Sequence, residues 1–158
     1  MKKAMLGFAL AACASVIAPL VTATTFPVVT TIYIGSGVLD NGFGAGNGTA
    51  TSFHCTNASG LTAQLRFLLL GPGGNALGSF NRSLPHANTV TASTHETNAY
   101  FDYIIMTPGV AITQGGVVIE STETGVFCTA ITLDAGSSTP NGFPLHLVRI
   151  NPHPGSVE

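Results

Sequence analysis

After residue 3 the chain contains no lysine, and its only remaining cations of fixed charge are Arg66, Arg82 and Arg149. Charged residues make up 8% of the sequence, against about 25% in an ordinary soluble domain. A basic stripe able to track a phosphate backbone is therefore excluded, and nucleic acid and anionic lipid headgroups are not expected partners. Tryptophan is absent as well, so no indole anchors the core. Beyond the first two dozen residues there is no apolar stripe at helical spacing, which leaves strands and turns as the expected elements. The surface must then be made largely of Thr, Ser, Asn and Gly.

The residues that are present begin with a secretory pattern. Lys2 and Lys3 precede an apolar run over residues 4–21, and Val21, Thr22 and Ala23 supply the small-x-small exit that a signal peptidase accepts. Residues 1–23 are read as a bacterial-type signal peptide and 24–158 as one domain, with no transmembrane span in the mature part. Leu10, Ala11, Ala12 and Cys13 also match a lipoprotein signal, in which Cys13 would be acylated. The apolar run before Cys13 is short, so cleavage after Ala23 is the expected route. The mature part then carries three arginines and seven acids, a formal charge of −4.

Cleavage removes Cys13 and leaves a pair, Cys55 and Cys128, which an oxidising compartment is expected to join. A secreted, periplasmic or cell-envelope location follows.

Strand signals recur along the mature chain. Residues 26–38 read as a first or edge strand broken near Gly35 and Gly37, and residues 40–48, DNGFGAGNG, as an exposed, mobile loop. In 49–57 Phe53 and Cys55 share a face. In 61–69 Leu61, Ala63, Leu65, Phe67 and Leu69 alternate with polar residues, and the apolar run 67–70 suggests cover on both faces. The GPGG turn returns the chain into 76–80, and 81–88 reads as irregular. Further strands are expected at 89–94, 100–106, 116–121, 126–133 and 145–150, with a hairpin turn at 122–125. About eight or nine short strands separated by turn signals indicate an all-β, antiparallel two-sheet sandwich.

The spacing from Cys55 to Cys128, with Leu65 and Phe67 lying 10 and 12 residues after the first cysteine, resembles the B, C and F strand layout of immunoglobulin-like domains. That resemblance implies cysteine strands in opposite sheets and a Cys55–Cys128 bridge between them. Val126 stands where the family places a tyrosine, which points to a looser, only loosely immunoglobulin-like sandwich.

Chemistry-bearing patterns are sparse. His54 and His146 lie on expected strands, and are the candidate metal ligands, although no HxH, HxxxH or CxxC spacing supports them. Gly35, Ser36 and Gly37 lack the first glycine of a nucleophile elbow. Glu120 and Glu123 flank a turn and read as solvated. The glycine loop has only Asp40 as a charge, too few for calcium, and no lysine or helix follows to complete a phosphate cradle. The sequons at Asn47, Asn57 and Asn81 arise readily in so Asn- and Thr-rich a chain. No catalytic residue and no cofactor is assigned.

Three functions remain in view. The first is an exported, non-catalytic binding, adhesion or envelope-structural module with a protein or glycan partner. The second is a periplasmic metal-binding protein or small hydrolase using histidines. The third is a filament subunit in which residues 26–38 are donated as a strand to a neighbour.

Overall fold

A computed structural model describes residues 26–150 with the exception of 43 and 107. The expected signal, Cys13 and His153 lie outside the described residues. The chain forms β1 (Thr30–Asp40), β2 (Thr49–Asn57), β3 (Ala63–Leu70), β4 (Ala76–Leu84), β5 (Thr89–Ser93), β6 (Ile104–Ile105), β7 (Ile112–Ser121), β8 (Val126–Asp134), β9 (Gly142–Leu145) and β10 (Leu147–Arg149). These build two five-stranded sheets, β10-β1-β7-β3-β4 and β6-β5-β2-β8-β9, packed as a sandwich. All pairings are antiparallel except β5 with β6.

The alternation read from the sequence sets the core. Phe53 and Cys55 of the second sheet and Leu65, Phe67 and Leu69 of the first are fully buried. The Phe53 and Phe67 rings meet at 6.2 Å between centroids, where the two sheets touch. Burial of a side chain of this size contributes about 1.5–3 kcal/mol. Leu68 and Leu70, by contrast, are only half-buried on the outer face, so the apolar run at the end of β3 is covered on one side only.

Cys55 and Cys128 are bonded, as expected. Their placement differs from the expected one: β2 and β8 are hydrogen-bonded neighbours, and Cys55 is the direct register partner of Cys128. The bridge therefore staples two strands of one sheet and does not cross between sheets. A Cα separation of 4.1 Å suits a non-hydrogen-bonded antiparallel pair, whose side chains project to the same face at close range. The cysteine strands thus depart from the immunoglobulin-like B and F arrangement, while β3 does lie in the opposite sheet.

Several expected connections also resolve differently. The turn at 122–125 joins β7 and β8, which belong to different sheets, so it is a crossover and not a hairpin. The backbone of Thr122 stays with Gln64 of the first sheet. Ala58 then donates to the Gly125 carbonyl, and a Cβ at Gly125 would stand 2.7 Å from the Ser59 backbone, so only glycine lets the chain cross there. β1 runs unbroken past Gly35 and Gly37 by absorbing bulges, and it is interior to its sheet, flanked by β10 and β7. The expected strand at 145–150 is two strands in different sheets, divided at His146.

Candidate functional site

Segment 94–103 lies across the outer face of the second sheet, held there by a buried polar network. Asp102 accepts hydrogen bonds from Ser93 Oγ at 2.5 Å and from the Thr97 backbone N–H at 2.7 Å and hydroxyl at 3.0 Å. Ser93 Oγ in turn lies 2.7 Å from Ser52 Oγ. Of the expected 100–106 strand only Ile104 and Ile105 pair with β5, extended by backbone bonds from the Tyr103 and Met106 N–H groups to the Thr91 and Ser93 carbonyls, while Asp102 is tied to Ser93 and Thr97.

His54 sits beneath this segment. Its Nδ1 is 3.1 Å from Thr91 Oγ1, its ring packs 4.4 Å from that of Tyr100, and its Nε2 is buried without a hydrogen-bond partner. Burial lowers its pKa below the ordinary 6.5, with the Asp102 charge pulling in the opposite direction. His146, the other candidate ligand, is exposed in the break between β9 and β10. Thr129 pairs with His54, and the pairing of β9 with β8 ends at Leu145 opposite Ala130, so His146 lies just past the end of that strand. His54 lies within β2 of the second sheet, whereas His146 belongs to neither sheet, so the two do not face each other from opposing strands. Among the described residues no three His, Cys, Asp or Glu side chains gather closely enough to hold a metal ion.

The glycine loop is better anchored than its composition suggests. Asp40 and His95 form a buried pair at 2.9 Å, and His95 Nε2 lies 3.0 Å from the Asn47 carbonyl oxygen. Asp40 also accepts from the Gly42 N–H at 2.7 Å, and Gly46 donates to the Glu96 carbonyl. Both ring nitrogens of His95 are occupied within the protein, by a carboxylate oxygen and a backbone carbonyl oxygen, so neither is open to a substrate or metal. The pair walls a cleft of about 350 Å³ that Pro108, Val110 and Ala111 complete. Nothing in the sequence announces this pair, because its members lie 55 positions apart.

Arg149 makes a second long-range lock. Its guanidinium donates to the Tyr33 hydroxyl at 2.6 Å and to the carbonyls of Val126 (3.0 Å) and Thr124, and it lies over the Tyr33 and Phe127 rings. Tyr33 thus fastens the first sheet to the second near the position where the sequence lacks a corner tyrosine. Glu120, expected to be solvated, is bonded to Arg66 across β3 and β7, and this bond holds the Arg66 pKa above its usual range. Asn57 is fully buried, donating to the Leu61 and Leu84 carbonyls, so its sequon is closed to modification.

A further cluster lies at the surface. Phe101 and Tyr103 are 77% and 54% exposed, and their rings meet edge to face at 4.9 Å. The Arg82 guanidinium lies 5.2 Å from the Tyr103 ring centre. Arg82 belongs to β4, the edge of one sheet, and Tyr103 precedes β6, the edge of the other, so the cluster spans the open side of the sandwich. The opposite side is closed where the chain passes from β9 to β10. A small hollow beside Tyr103 is lined by Ser83, Pro85, Asn88 and Thr89.

Comparison of the chain with known protein families, curated proteins and solved structures finds no match.

Proposed function

We propose that the protein is an exported binding, adhesion or envelope-structural module that works through the open side of its sandwich. The observation that carries this reading is the Phe101–Tyr103–Arg82 cluster. Aromatic residues and arginine dominate the energetics of interaction surfaces, because rigid rings bury large areas at little entropic cost and the guanidinium adds a planar cation. Such a cluster fits a ligand presenting a flat apolar face next to a carboxylate or hydroxyl. A glycan chain or a protein loop supplies that chemistry. The Cys55–Cys128 disulfide suggests an oxidising, extracytoplasmic compartment, and the leading residues favour secretion to a periplasm or cell surface.

The histidine-based reading has less support, since His95 is fully engaged and His54 and His146 lack a third ligand among the described residues. The test is retention of the purified protein on immobilised neutral and uronate oligosaccharides and on acidic peptides. Phe101→Ala/Tyr103→Ala is expected to weaken retention on the ligand that binds by about tenfold or more. A double variant retained as well as the parent protein would overturn the assignment.

A further inference from the structure

The four sheet edges are unequal. β6 has two residues, β10 has three, and β9 has four with Pro144 among them. Short or proline-bearing edges offer little to an incoming strand. β4 is different: it runs nine residues from Ala76 to Leu84, contains no proline, and carries a single charge at Arg82. Among the described residues it has β3 on one side and no strand on the other. Its outward backbone N–H and C=O groups are a template for one more strand.

We infer that the strand taken up there is β4 of a second copy, paired antiparallel about a two-fold axis through Phe80 to make one continuous ten-stranded sheet. This deepens the reading of the open side as the working surface by naming its partner.

Self-pairing is permitted by the residue order. Side chains alternate between faces, so a two-fold pairing must match residues of like facing, which restricts it to steps of two. The arrangement centred on Phe80 pairs Gly78 with Arg82, Ser79 with Asn81, and Phe80 with its own counterpart, the regular part of β4 short of the bulge before Gly78. Arg82 then opposes a glycine. Centring the pairing on Arg82 would place like charges face to face. At the middle, half-buried Phe80 rings form a cross-strand aromatic pair. Each ring already leans over its own Gly78, where a Cβ would come within 2.6 Å of it. No acidic or lysine side chain interrupts the contact, and the association is isologous and closed, as dimers usually are.

Ser79 and Asn81 are both exposed, so charges placed there test the register without disturbing the core. The full chain, with its disulfide intact, is examined by size-exclusion chromatography with light scattering over a range of micromolar concentrations. The expected result is a dimer for the parent protein, a monomer for Ser79→Lys/Asn81→Lys, where lysine meets lysine twice, and a dimer again for Ser79→Lys/Asn81→Glu, where each lysine meets a glutamate. A parent protein that stays monomeric at every concentration, a Lys/Lys variant that remains dimeric, or a Lys/Glu variant that is monomeric overturns the inference. Failure here is distinguishable from failure of the functional reading: a monomer that binds an oligosaccharide or peptide through Phe101 and Tyr103 rejects self-pairing alone.

Discussion

The imidazole of His54 gives the molecule a specific response to acid. Its folded-state pKa is lowered, chiefly by burial, whereas the unfolded chain titrates near 6.5. Above that value both states hold the ring neutral and stability is complete. As pH falls through and below 6.5 the unfolded state takes up a proton that the folded state resists, so stability declines. His54→Gln is expected to flatten this decline in denaturant melts between pH 7 and pH 5, and an unchanged slope would contradict the assignment. The Asp40–His95 pair tests a different effect. Asp40→Ala leaves the buried His95 Nδ1 and the Gly42 N–H without their partner and is expected to cost about 1–3 kcal/mol in urea unfolding. A loss within the few tenths typical of surface changes would show that the pair is not buried in solution. His54 and Cys55 were legible on their strand from alternation alone. The cover that Tyr100 places on His54, and the partner of Asp40, were not, because both come from residues more than 40 positions away whose approach depends on how the sheets are wound.

Strands were legible wherever one face alternates, as in β2 and β3, and less so wherever a polar group inside a strand-like run had business elsewhere. The segment 100–106 has every residue preference of a strand, yet only its second half runs beside β5, and Asp102 turns instead to Ser93 and Thr97. Similarly, turn chemistry marked 122–125 correctly as a turn but carried no information about whether the next strand returns to the same sheet. The same ambiguity governed the disulfide: two strands carrying inward cysteines can meet across a core or side by side, and pairing in β2 and β8 decides for the second. Removing the bridge by Cys55→Ser/Cys128→Ser reopens a loop of 73 residues and is expected to cost about 4 kcal/mol of stability in the chain-entropy estimate. Ala87 offers the opposite sign. It holds φ at 62°, where a Cβ is unfavourable, so Ala87→Gly is expected to raise stability by about 0.5–1 kcal/mol, read as an upward shift in the urea midpoint.

At the scale of the whole molecule, the sandwich has one long side sealed by the β9 to β10 passage and another left open between β4 and β6. Buried carboxylates and histidines serve internal cohesion, tying the glycine loop, the 94–103 segment and the two sheets together. Phe101, Tyr103 and Arg82 form the surface proposed here for outside partners. Because the first two are largely solvated, Phe101→Ala/Tyr103→Ala is expected to shift stability by no more than about 0.5 kcal/mol while weakening ligand retention about tenfold or more. The most direct measurement is amide and aromatic chemical-shift mapping by NMR during titration with whichever oligosaccharide or acidic peptide the immobilised panel retains. Perturbations concentrated on Phe101, Tyr103, Arg82 and the neighbouring β4 backbone are the predicted result. Perturbations centred instead on His54 and His146, or on the cleft beside Asp40 and His95, would contradict the account.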